Sequence, residues 1–118
     1  MDARLIDDSV AKILARCRWK PYLRISCDTI QAIRPVEEAV NRLTRNGLKP
    51  YKIFCYSLVQ DVKEAYERIM ALRKLGIEIF AQPYRDFDGG EPTVEQKRLA
   101  RWCNMKAIFK TVNWEDYK

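Results

Sequence analysis

The sequence predicts an α/β fold of three parallel β/α units. Two observations predict it. Three short strand-like runs lie at 22–28, 52–59 and 77–82, and the segments between them carry apolar residues at helical spacing. Strands joined by helical crossovers of 15 to 25 residues run parallel. The order is α, β, α, β, α, β, α. Its 118 residues fit one domain, 1–118. A closed eight-unit β/α barrel needs roughly 250 residues and is excluded.

The elements follow in order. Asp7 or Asp8 can cap a helix over 8–17, with Val10, Ile13, Leu14 and Cys17 on one face; Trp19-Lys20-Pro21 breaks it. Residues 22–28 alternate: Leu23, Ile25 and Cys27 face one way, Arg24, Ser26 and Asp28 the other. Pro35 suits the first turn of a helix whose buried stripe is Val36, Ala39, Val40 and Leu43 and which Asn46-Gly47 stops. The nearly continuous apolar run 52–59 reads as a strand covered on both faces. Asp61 caps a helix through Leu75, with Val62, Ala65, Tyr66, Ile69 and Leu72 buried and Gly76 ending it. Residues 77–82 form the third strand. A loop from Pro83 to Pro92 follows, then a Thr93/Gln96 capping box opens a helix carrying Leu99, Trp102 and Cys103. The tail from Lys106 holds an apolar patch, Ala107, Ile108 and Phe109.

The net charge is +6, with a surplus of five in residues 1–60 and one in 61–118. Arg16, Arg18, Lys20, Arg24, Arg42, Arg45, Lys49 and Lys52 carry it. Most stand at helix ends and strand starts, where cations complement the helix dipole; an anion-binding surface is the competing reading. The four cysteines, Cys17, Cys27, Cys55 and Cys103, are too far apart for a CxxC-type site, and the chain has no His. Four free thiols, no signal-like N-terminus and no long apolar run lead to the expectation of a cytoplasmic protein without membrane contact or bound metal.

The first strand is the informative one, because a parallel strand buried on both faces would not carry Arg24, Ser26 and Asp28 on one of them. In a β/α barrel that face lines the interior and functional groups gather at strand C-termini. Asp28, Tyr56, Gln82 and Tyr84 would then share one rim, with Arg85, Asp86 and Asp88 in the loop beyond. An edge strand with one wet face explains the same pattern. Arg4 is equally a rim cation or an exposed helix-start residue.

Several segments together resemble a known family. They are Asp2-Ala3-Arg4-Leu5, Ser26-Cys27-Asp28, Tyr56-Ser57-Leu58-Val59, Leu72-Arg73-Lys74-Leu75-Gly76, Gln82-Pro83-Tyr84-Arg85-Asp86, the run from Arg98 to Asn104, Lys106-Ala107-Ile108-Phe109 and Trp114-Glu115-Asp116-Tyr117. In this order they are similar to the C-terminal half of a radical S-adenosylmethionine (SAM) family of bacterial and phage proteins. The resemblance implies strands four to six of a six-stranded partial barrel, a half TIM-like barrel, with Met1 at the end of the third strand. It implies a full-length parent with SAM and a [4Fe–4S] cluster as cofactors. The CxxxCxxC motif that holds the cluster is absent, so no cofactor is expected in this chain alone, and the missing N-terminal half of the barrel is its expected partner.

By the same resemblance, Arg24, Ser26 or Asp28 would give SAM polar contacts. Tyr56 or Leu58 would touch adenine, Gln82 and Tyr84 would lie at its edge, and Arg4 with Asp2 would stand at the rim of strand three. No residue is assigned a catalytic role. The expected function is a SAM- and substrate-cavity domain that is inactive alone. The alternative is a standalone basic binding module: Trp19 and Tyr22 among basic residues could stack on single strands, although no recognised motif favours nucleic acid as a partner. A small α/β domain with its own metal-free chemistry would lack a P-loop, a nucleophile elbow and any His. Three strands taken from a larger sheet would also leave two open edges, which are expected to pair in a homodimer, a domain swap or a concentration-dependent association.

Overall fold

The computed structural model describes residues 2–19, 22–85 and 88–117. The helix break at Lys20-Pro21, Met1 and the loop carboxylate Asp86 lie outside them. Helix α1 spans Asp8–Arg16 and is capped by Asp7, whose carboxylate accepts the Val10 N–H at 2.8 Å. Strand β1 is Leu23–Ser26, shorter than the expected 22–28. Thr29 caps a 3-10 turn, Ile30–Ala32, that runs into α2, Ile33–Arg45. Gly47, with φ at +103°, supplies the left-handed residue that ends it. Strand β2 is Ile53–Val59, α3 is Val62–Arg73 under an Asp61 cap, and β3 is Glu78–Pro83. Helix α4, Val94–Asn104, opens on the Thr93/Gln96 capping box. The tail folds into a short helix α5, Lys106–Thr111, and a 3-10 turn, Trp114–Asp116.

The three strands form one parallel sheet in the order β1-β2-β3. A sequential order with right-handed crossovers puts the connecting helices on one face, and burial follows that rule. Leu23, Ile25, Ile53, Cys55, Val59, Ile79 and Ala81 are buried with Val36, Leu43, Ile69, Leu72 and Leu99 of the helices. Each large aliphatic side chain so buried stabilises the fold by about 1.5–3 kcal/mol. The opposite face, carrying Arg24, Ser26, Tyr56, Phe80 and Gln82, is exposed. This corrects the expectation that 52–59 is covered on both faces. Its even positions, Phe54, Tyr56 and Leu58, read as apolar but have the parity of the open face, where Phe54 and Tyr56 pack on each other and on Phe80. The sheet is an open one of three strands.

At β3 the expectation of two open edges also needs correction. The Asn104 carboxamide takes both outward backbone groups of Ala81: the Ala81 N–H donates to Oδ1 at 2.8 Å and Nδ2 donates to the Ala81 carbonyl at 2.9 Å. A side chain thus occupies the strand's outer hydrogen-bonding positions at its middle. The basic residues expected at helix ends stand there: Arg42 and Arg45, in the last turn of α2, approach Asp8 of α1 at 3.8 and 3.7 Å.

The C-terminal segment packs through aromatic rings. Trp102, fully buried on α4, meets Phe109 edge-on at 4.8 Å and Trp114 at 5.7 Å, and its Nε1–H donates to the Val112 carbonyl at 2.8 Å. Arg73 and Arg98 lie over the Phe109 and Trp114 rings. Replacing Trp102 with Ala removes the centre of this cluster and leaves a cavity, so Trp102→Ala is expected to cost about 3–5 kcal/mol in urea unfolding. A loss under about 1 kcal/mol would show that the tail is not anchored there.

Candidate functional site

The C-terminal ends of the strands, together with the open sheet face, make the candidate site. Register sets its layout: Ser26, Tyr56 and Phe80 lie in one row across the sheet, and Leu58 and Gln82 in the next. Beside β1, a cleft of about 570 Å³ is lined by Asp2, Arg4, Ser26, Asp28, Thr29 and Pro35, among others. Of the residues expected at the site, Arg4, Ser26 and Asp28 therefore come together in the cleft. Arg24, Tyr56 and Gln82 share the open face, and half-buried Leu58 has its parity. Tyr84 follows β3, where its N–H donates to the Val59 carbonyl at 2.8 Å and prolongs the pairing of β2 with β3.

The cleft's three charged groups, Asp2, Arg4 and Asp28, already have partners. The Arg4 guanidinium grips the Asp2 carboxylate through Nε and Nη2, the latter at 2.7 Å. That hydrogen bonding, with the Arg4 backbone N–H on the same carboxylate, holds Asp2 down at about 2 and raises Arg4 above its ordinary value. Asp28 accepts the Leu58 N–H on Oδ1 at 3.0 Å. It therefore caps the end of β2 as well as facing the cleft.

The open face holds a feature absent from the sequence reading. Phe54 contacts Tyr22 at 5.2 Å, Tyr56 at 5.0 Å and Phe80 at 6.3 Å between ring centres. Tyr56 and Phe80 remain 38% and 40% exposed. Phe54 and Tyr56 stand on alternate residues of β2 and Phe80 on β3, with Tyr22 just before β1, so the period-2 pattern could have revealed them once the run 52–59 was taken as one-sided.

Beneath the rim lies a second missed residue, Arg68. It is 1% exposed in α3 and uses the full donor capacity of a guanidinium. Nη1 donates to the Cys27 carbonyl at 2.9 Å and to Ser57 Oγ at 2.8 Å. Nη2 donates to the Leu58 carbonyl at 2.8 Å and to Glu64 at 2.6 Å, and Nε to Glu64 at 3.1 Å. Ser57, buried on the inner face of β2, donates in turn to the Cys27 carbonyl at 3.0 Å. The signals were a hydroxyl at a buried parity of β2 and a Glu64/Arg68 pair at i, i+4 inside the apolar stripe of α3.

The cysteines do not form a ligand set for an iron–sulfur cluster. Among the described residues, no group of three His, Cys, Asp or Glu is placed to hold a metal ion. Cys27, Cys55 and Cys103 are buried and Cys17 is exposed. Burial pushes the Cys27 thiol up to about 11 and Cys103 to about 12, and raises Cys55 as well. No helix among the described residues is long and apolar enough to cross a membrane. Compared with known proteins, the chain matches no protein-family model, no curated protein and no solved structure.

Two outcomes are expected. Removing Arg68 takes the guanidinium from the Leu58 carbonyl and from Glu64 and leaves the Cys27 carbonyl and Ser57 only each other, so Arg68→Ala should cost about 3–5 kcal/mol in urea unfolding; a loss under about 1 kcal/mol would contradict the network's role. The raised thiols give the second. Above pH 9 the unfolded chain releases protons that the folded chain keeps, so stability should fall from pH 9 towards 11, by at most about 1.4 kcal/mol per pH unit for each thiol. Cys27→Ala should flatten that fall; an unchanged slope in the variant would contradict it.

Proposed function

We propose that this chain is the C-terminal part of a radical SAM partial barrel, contributing strands four to six and one wall of the SAM and substrate cavity, and inactive alone. The observation that carries the reading is the one-sided sheet. Three parallel strands in sequential order carry helices on one face only, with polar and aromatic side chains on the other, as a segment of barrel wall would. The family resemblance along the chain supports the same conclusion.

The two implied cofactors fare differently. The chain's cysteines do not fit the [4Fe–4S] cluster, so no chemical step is assigned to this chain, and a cluster-bearing partner half is part of the proposal. For SAM the residues are suitable in kind. Ser26, Asp28 and Arg4 bring a hydroxyl, a carboxylate and a guanidinium to the cleft, while Tyr56, Phe80 and Gln82 bring flat apolar surface and a carboxamide. On this reading the polar groups give SAM polar contacts, the rings exclude water from the adenine, and the missing half of the barrel grips the methionine portion.

The test is a titration of the ¹⁵N-labelled chain with SAM to millimolar concentration. The expected result is saturable shifts confined to amides of Ser26, Asp28, Tyr56, Leu58 and Gln82, while anaerobic reconstitution with iron and sulfide yields no stoichiometric cluster. Shifts on another surface, no shifts at all, or a full cluster would overturn the proposal.

A further inference from the structure

We propose that a second cleft, at the N-terminal end of β3, binds a phosphate group through Arg73 and Lys110. It lies at the opposite end of the strands from the cleft beside β1 and does not depend on SAM binding.

The cleft forms where four elements meet. Tyr51 stands in the 3-10 turn Pro50–Lys52 before β2, and Glu78 opens β3. Arg73 ends α3, while Lys106 and Lys110 stand four residues apart on α5. The cleft has a volume of about 390 Å³, which is small-ligand size, and buried Ile77, Ile79 and Cys103 also line it.

Its charge does not balance. Three cations and one carboxylate line it. Lys106 forms an ion pair with Glu78, which accounts for one cation. Among the described residues, Arg73 and Lys110 have neither a carboxylate partner nor a side-chain hydrogen bond. Arg73 lies over the Phe109 ring, 4.7 Å from its centre. That contact positions the guanidinium and leaves its N–H donors without an oxygen acceptor. Arg73 and Lys110 do stand in the last turns of their helices, where the dipole favours cations. The dipole does not explain Lys106, the first residue of α5, where it opposes a cation. Nor does it explain two lysines at i, i+4, which repel each other. An anion in the cleft would relieve both.

The surplus selects the anion. Two uncompensated cations match a phosphate monoester, which carries about two negative charges at neutral pH; a carboxylate would cancel only one. A guanidinium meets two phosphate oxygens with its planar fork, and an ammonium serves a third as a point charge. Tyr51, 58% exposed, offers a ring to the remainder of a phosphorylated molecule.

The test is a titration of the ¹⁵N-labelled chain with inorganic phosphate, phenyl phosphate and acetate, at constant ionic strength in sodium chloride. Phosphate is expected to give saturable shifts at the amides of Ile77, Glu78, Lys106 and Lys110, with acetate about tenfold weaker or more. Lys110→Gln, an exposed change, should weaken phosphate binding about fivefold, and Arg73→Met, which keeps an unbranched chain against Phe109, about tenfold. Tighter binding of phenyl phosphate would identify a phosphorylated molecule that covers Tyr51, and equal binding would identify phosphate itself. No saturable shift at the cleft, acetate binding as well as phosphate, or undiminished binding in Lys110→Gln would overturn the proposal. The SAM titration reads amides at the other end of the strands, so the two readings fail separately.

Discussion

The buried guanidinium of Arg68 is the interaction on which the candidate site rests. A parallel sheet ends in carbonyls that have lost their next ladder partner, and a rim built on such ends would fray. Here one side chain from α3 reaches under the rim and binds the Cys27 and Leu58 carbonyls and the Ser57 hydroxyl, while Glu64 balances its charge. Burying a charge is costly unless every donor is met, and five hydrogen bonds meet them. Asp28, on the outside of the same corner, accepts the Leu58 N–H and ties the two strand ends from above. The polar face of β1 and the rings of β2 and β3 are thereby held in fixed relation.

The rest of the architecture is asymmetric for a simple reason. Sequential parallel strands put their helices on one side, so the other side must find another cover. Part of that cover is internal: Tyr22, Phe54, Tyr56 and Phe80 pack on one another and reduce the exposed apolar area. Among the described residues, Leu5 and Ile13 around α1 stay exposed. The edge at β3 is treated differently, because Asn104 imitates a strand's backbone there. The cleft and the aromatic face meet in the row of Ser26, Tyr56 and Phe80 across the sheet.

Much of the fold was legible because it depends on local rules. Asp61, Thr93 with Gln96, Asn46-Gly47 and Gly76 mark helix ends through capping and left-handed turns, which act over a few residues. The alternation of β1 put Arg24 and Ser26 on the face away from the helices, and that face is exposed on a strand at the edge of the sheet. What escaped reading depends on contacts distant in sequence. Arg68 inside an apolar stripe resembles an ordinary solvated arginine until Cys27, 41 residues away, is known to lie against it. Phe54 and Phe80 look like core until the sheet is known to be covered once. Asn104 looks like a helix C-terminal residue until Ala81 is beside it.

Native-state hydrogen exchange of the Leu58 and Cys27 amides tests most directly whether Arg68 and Asp28 hold the rim. Leu58 donates to a carboxylate at an otherwise exposed corner, and Cys27 donates across to Tyr56 just beyond the last residue of β1. If the corner is fixed as described, both amides exchange as slowly as those in the middle of β2, opening only when the domain unfolds. If they exchange as fast as exposed loop amides such as Gly89, the rim frays in solution and the account of a preformed site is wrong.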